Sequence, residues 1–169
     1  MSMRKAVTRI AALVLLIGLT ACGSGFHLRG EADYPFKTIF LSAPNLAMAP
    51  ELKRALDSIG SAKLVEPATA ADVVLEVNSV EDTKSILSLS GGGKVAEYLL
   101  SKRVLFRVHD NEGRDWLPTS EVLVRRSYTY SDTETLAKEA QEQRLTREMQ
   151  TDAVQQIVRR LQNAKKPPA

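Results

Sequence analysis

The chain has 169 residues, 44% of them hydrophobic and 25% charged, with 23 Lys+Arg against 20 Asp+Glu, one cysteine and two histidines. A single cysteine excludes an intramolecular disulfide, and a formal net charge of +3 is far from the strongly basic balance of a nucleic-acid-binding domain. The length suits one domain with one core, and the hydrophobic content excludes a disordered chain.

Arg4, Lys5 and Arg9 precede an apolar run from Ile10 to Leu19, and Leu19-Thr20-Ala21-Cys22 follows at once. A basic segment, a short apolar segment and small residues describe a secretory signal peptide, residues 1–21, and the run is too short to span a bilayer. The Leu-x-Ala-Cys ending resembles the lipobox of bacterial lipoproteins. That resemblance implies cleavage before Cys22, lipidation of its sulfur and acylation of the new amino group. In such proteins an Asp after the cysteine implies retention in the inner membrane; Gly23 stands here, which implies the outer membrane, periplasmic side. Several acyl chains, at about 0.8 kcal/mol per buried CH₂, would make the attachment stable. Residues 1–21 hold three basic and no acidic residues, so the mature chain keeps 20 of each sign and no net charge. No nucleic-acid partner is expected.

Residues 22–35, rich in Gly and polar groups, read as a lipidated N-terminus and tether, with a domain over residues 36–162. Phe36–Leu41 is a run of β-formers ended by Pro44 and Asn45. From Pro50 the pattern turns helical: Leu52, Leu56 and Ile59 share a face, Pro50 suits a first turn and Gly60 a C-cap. Asp72–Asp82 alternates, with Val73, Leu75 and Val77 on one face. Ser88, Ser90 and Gly91–Gly93 break the pattern between Ile86 and Lys94. Alternation resumes with Ala96, Tyr98, Leu100, Val104, Phe106 and Val108, turns at Asn111-Glu112-Gly113, and returns with Trp116, Val122, Val124, Tyr128 and Tyr130. Two consecutive antiparallel hairpins follow from these three runs.

Ser131-x-x-Glu134 is a capping-box pattern, and neither Gly nor Pro recurs before Pro167. Leu145, Met149, Ala153, Ile157 and Leu161 step by four, with Val154 and Val158 beside them, along a rod of about 43 Å. Residues 163–169 read as an unstructured tail. The order is β-α-β-β-β-α, and the expected fold is α+β: a two-layer sandwich of one four-stranded mixed sheet with two helices packed on one face.

Catalytic chemistry finds little footing. His27 lies in the tether and His109 ends a strand beside Asp110, with no nucleophile-activating motif. Two isolated histidines make no metal site. Gly91-Gly92-Gly93 lacks the spacing of a phosphate loop. No enzyme activity, metal or cofactor is expected.

After the lipobox cysteine the chain reads Gly25-Phe26-His27-Leu28-Arg29-Gly30, and Asp82-Thr83, Ala96-Glu97-Tyr98, Arg126-Ser127-Tyr128 and Leu136-Ala137-Lys138 follow in order. Together these strings resemble the LPS-assembly lipoprotein family LptE over essentially the whole mature chain. The resemblance implies a protein that plugs the lumen of the outer-membrane β-barrel LptD, the pair inserting lipopolysaccharide into the outer leaflet. It also implies that Lys138 contributes to lipid recognition, with Lys94 approaching from the hairpin and Arg125 or Arg126, whichever faces outward, from the third strand. The first hairpin loop departs from the family pattern: it is longer, and Leu89 and glycines stand where a basic residue is expected. Ile86, Leu87 and Leu89 at that tip are candidate partner contacts, because apolar side chains at a hairpin tip often mark an interaction site. The alternative is a generic outer-membrane lipoprotein acting as a structural or envelope-binding module with another partner. A periplasmic hydrolase built on His109 is a third, weaker reading.

Overall fold

A computed structural model of the protein describes residues 33–43, 47–131 and 135–168, all within the unit Asp33–Ala169. Cys22, the tether as far as Ala32 and the Asp132–Glu134 part of the expected capping box lie outside the described residues. The elements are β1 (Thr38–Ser42), α1 (Ala49–Ile59), β2 (Lys63–Leu64), a 3₁₀ turn (Ala68–Ala70), β3 (Val73–Leu89), β4 (Val95–His109), β5 (Asp115–Thr129) and α2 (Thr135–Gln162). The sheet runs β2-β1-β3-β4-β5, with β1 parallel to β2 and to β3 and the remaining pairs antiparallel.

The α+β class holds, with one strand more than expected. β2 adds a fifth strand of two residues, Lys63 and Leu64, beside Thr38 and Ile39. Two residues carry no periodicity, so no pattern announces it. One core holds Ile39 and Leu41 of β1, Leu52 and Leu56 of α1, Val73, Leu75 and Val77 of β3, the inward side chains of β4 and β5, and the α2 stripe Met149, Ala153, Ile157 and Leu161. Both helices therefore cover the same face of the sheet. Burying a side chain such as Ile157 or Leu161 completely contributes about 1.5–3 kcal/mol. Glu51 of α1 ties the helices together by accepting hydrogen bonds from Gln150 Nε2 and Thr151 Oγ1 of α2, both at 2.7 Å. Gly60 closes α1 at φ 72°, in the left-handed region.

β3 is where the alternation misleads. Its register against β4 slips between Val77 and Ser79, so the helix-facing set changes from Val73, Leu75 and Val77 to Val80, Asp82, Lys84 and Ile86. Further slips between Ile86 and Leu89 disguise the last turn of pairing, and the strand continues to Leu89 where the sequence suggests a loop from Ile86. The turn itself is short: Ser90 N donates to Lys94 O at 2.7 Å, Gly93 N donates to Ser90 O at 2.9 Å, and Gly93 takes φ 76°.

The ends of the domain also extend past expectation. Tyr34 and Phe36, at the edge of the expected tether, are buried and stacked at 5.2 Å. Residues 164–168 have no regular structure, yet Ala164 is buried and Lys166 lines a cleft with Phe36 and Trp116.

Candidate functional site

β3, β4 and β5 run lengthwise through the domain, so its two ends differ in chemistry. At one end lie the start of β1, the β4–β5 turn and the close of α2. That turn is a rigid structural device: the Asp110 carboxylate accepts from Glu112 N at 3.0 Å, Arg114 N at 2.9 Å and Arg114 Nε at 2.8 Å. Desolvation works to raise the Asp110 carboxyl, but these bonds and the Arg114 charge outweigh it and hold the group below the ordinary carboxylate value. His109 Nδ1 meets the Asp110 backbone carbonyl at 2.7 Å, while the Asp110 carboxylate is taken up by Glu112 N and Arg114. Among the described residues no group of three or more His, Cys, Asp or Glu could hold a metal ion, and no helix is long and apolar enough to cross a membrane.

The opposite end consists of the β3–β4 turn and the start of α2. Ile86, Leu87, Leu89 and Leu136 are the exposed large hydrophobic residues of the described chain, and Leu136 is 83% exposed. All four are at this end. The first three are the tip residues singled out in the sequence; Leu136 is not, although it belongs to the Leu136-Ala137-Lys138 string, where attention falls on the lysine.

Behind the tip the sheet–helix interface turns polar. Glu142 of α2 accepts from Lys84 Nζ of β3 and from Tyr128 OH of β5, each at 2.5 Å. Lys84 Nζ also stands 4.3 Å from the centre of the Tyr98 ring, which packs against Tyr128 and Tyr130 at 5.8 and 5.3 Å. The Glu142 bond raises the Lys84 ammonium above its ordinary value. Partial burial pushes the Glu142 carboxyl up, but the Lys84 and Tyr128 bonds together bring it below the usual range. Burial, then the bond to Glu142, raises the Tyr128 phenol. Next along the sheet, Lys102 is buried on the helix-facing side and bonds across the ladder to Asp82, 2.7 Å from Oδ1 and 2.8 Å from Oδ2. Sequence periodicity hides both pairs, because a strand lysine carries no mark of the helix or cross-strand carboxylate that will meet it.

Of the four cations singled out in the sequence, Lys94 at the β3–β4 turn and Lys138 in the first turn of α2 share the apolar end. Lys138 Nζ is 3.5 Å from Gln141 Oε1. Arg125 and Arg126 are not brought to them as a pair, since adjacent strand residues point to opposite faces. Arg126 faces the helices and pairs with Asp152 of α2; Arg125 is on the uncovered face and exposed.

Fold and layout together define a small two-layer α+β domain of the kind found in solved lipoproteins. It is similar to the structure of an uncharacterized lipoprotein B from Nitrosomonas europaea, with TM-score 0.71 and 35% identity over 80% of this chain and 88% of that one. A minor lipoprotein from Acinetobacter baumannii is also similar, with TM-score 0.64 and 26% identity over 79% of this chain and 98% of that one. A sequence model of the LptE family, described as lipopolysaccharide-assembly, matches residues 36–161. The LPS-assembly lipoprotein LptE of Pectobacterium atrosepticum is 34% identical over 162 residues, covering 90% of this chain and 85% of that protein. Its counterpart in Photorhabdus laumondii is 30% identical over 156 residues, covering 88% and 84%. The chain belongs to the LptE family of envelope lipoproteins.

Proposed function

We propose that this protein is a non-enzymatic outer-membrane lipoprotein, anchored on the periplasmic side through acylated Cys22, that plugs the β-barrel LptD for the insertion of lipopolysaccharide into the outer leaflet. The observation that carries this reading is that Ile86, Leu87, Leu89 and Leu136, the exposed large hydrophobic residues among those described, all lie at one end of the domain. Four such side chains left in water are costly to a free monomer. Removing what each still exposes from water contributes on the order of 1 kcal/mol, which offsets part of the cost of association. Lys94 and Lys138 beside them supply ammonium groups suited to the phosphates of lipopolysaccharide.

The test is purification of the full chain from detergent-extracted outer membranes. A large β-barrel protein should accompany it in equal amount. A Leu87→Ser, Leu89→Ser, Leu136→Ser variant should keep its melting temperature, because these side chains are exposed, and lose most of the barrel. A barrel that is absent from the native preparation, or that accompanies the triple variant equally, refutes the proposal.

A further inference from the structure

β3 pairs with β1 only from Val73 to Glu76, whereas its pairing with β4 continues to Leu89. Beyond β1, one side of β3 therefore has no strand partner among the described residues and forms an open sheet edge. From Ser79 to Ile86 the register against β4 is continuous, giving eight residues without a bulge and an edge of about 26 Å. Which backbone groups face outward follows from one hydrogen bond. Tyr130 N donates to Ala96 O at 2.8 Å, so the even-numbered residues of β4 bond toward β5 and the odd-numbered ones toward β3. The β3 partners of Leu99, Ser101, Arg103 and Leu105 are Ser85, Thr83, Glu81 and Ser79, which exchange bonds with β4. Val80, Asp82, Lys84 and Ile86 then turn their N–H and C=O groups to the open edge, and among the described residues none bonds to them.

The other edge of the sheet is blunted. β5 contains Pro118, whose carbonyl accepts from Ser120 Oγ at 2.7 Å, and the Arg125 carbonyl is taken by Arg126 Nη1 at 2.9 Å. β3 has no proline between Val73 and Leu89. Its charged residues on the helix-facing side, Asp82 and Lys84, are already neutralised by Lys102 and Glu142. Alongside the edge a groove lined by Lys84, Glu139, Glu142, Gln143, Thr146 and Arg147 offers room for alternate side chains of an added strand. The edge leads directly into Ile86, Leu87 and Leu89.

We infer that the Val80–Ile86 edge of β3 is a strand-addition site, and that its occupant is an extended segment of the barrel partner. This rests on the proposed function, because continuity with the apolar tip is what selects that partner. The segment is polar where it passes Asp82 and Lys84 and apolar where it passes Ile86 and Leu89. Main-chain hydrogen bonds supply the attraction, and side chains entering the groove supply selectivity.

Residue-resolved amide exchange on the full lipidated protein, alone in detergent and in its purified barrel complex, tests this. In the free protein, Ser79, Glu81, Thr83 and Ser85 exchange slowly while Val80, Asp82, Lys84 and Ile86 exchange fast. In the complex the even-numbered set slows by about a hundredfold or more, as expected when open amides enter a ladder. A second arm compares Lys84→Pro with Lys84→Ala. Both lose the Glu142 pair, but only proline removes the edge N–H, so barrel affinity should fall a further ~3- to 10-fold. A complex that forms with the even-numbered amides still fast overturns the strand-addition site and leaves the plug standing. Failure to form any complex overturns both. Protection that appears without barrel, in step with self-association, assigns the edge to a second copy and overturns the inference.

Discussion

Lys102 gives the sharpest quantitative test of the fold. Its side chain is 3% exposed, and Asp82, 54% exposed, is its carboxylate partner across the β3–β4 ladder. Replacing Asp82 by Ala strands an ammonium in the helix-facing layer. Breaking a fully buried pair by removing one partner costs about 3–5 kcal/mol. Asp82 is half in water, so solvent entering its vacated place recovers part of that, and the expected loss is about 2 kcal/mol. For a domain of this size ~2 kcal/mol corresponds to a fall of about 6 °C in Tm. Lys102→Met fills nearly the same space without the charge, so Asp82→Ala with Lys102→Met should return to within about 1 kcal/mol of the native protein. Urea denaturation of the four proteins of this cycle, full chain in detergent, measures the coupling. If Asp82→Ala alone is as stable as the native protein, or if Lys102→Met brings no rescue, Lys102 is not the buried charge described.

Further outcomes follow from individual groups. Cys22→Ala should abolish the added acyl mass and the removal of residues 1–21, seen by intact-mass spectrometry, while circular dichroism of the domain stays unchanged. A Lys94→Asp, Lys138→Asp protein should bind lipopolysaccharide about ten- to a hundredfold more weakly and still join its barrel, the expected loss of charge-assisted contacts; unchanged affinity would remove both lysines from lipid recognition. Asp72 Oδ2 accepts from Lys37 N at 2.9 Å and Thr38 N at 3.0 Å, and these bonds, that of Lys37 foremost, hold its carboxyl below the ordinary range. A depressed carboxyl stabilises the fold above the ordinary carboxylate value, about pH 4, and loses that contribution as the pH falls through its own lower value. Thermal melts should therefore show Asp72→Asn less stable than the native protein at pH 7, with the gap closing below about pH 4.

The helix stripe and the hairpins were legible because buried side chains impose their spacing on the sequence. Met149, Ala153, Ile157 and Leu161 are all buried, as a step of four requires. Alternation in β4 and β5 points to the inward set Leu100, Val104, Phe106, Val108, Val122 and Val124. It failed in β3 because a register slip exchanges the faces and makes two correct half-patterns look like one broken one. Lys102 sits at an inward position that composition would assign to solvent; only its cross-strand partner explains it. The tip was visible because Ile86, Leu87 and Leu89 flank a glycine run, whereas Leu136 looks like any helix leucine until the structure shows it 83% exposed. Arg125 and Arg126 could not be ranked from sequence, since the choice depends on which of them faces Asp152.

Photo-crosslinking in intact cells addresses most directly the claim that the apolar end faces the barrel. A crosslinking amino acid is placed at Leu87, at Leu136, or at Glu112 in the β4–β5 turn of the opposite end, each in the full lipidated chain. Adducts with the LptD barrel are expected from positions 87 and 136 and none from position 112. Adducts from position 112 with none from the other two would contradict that claim.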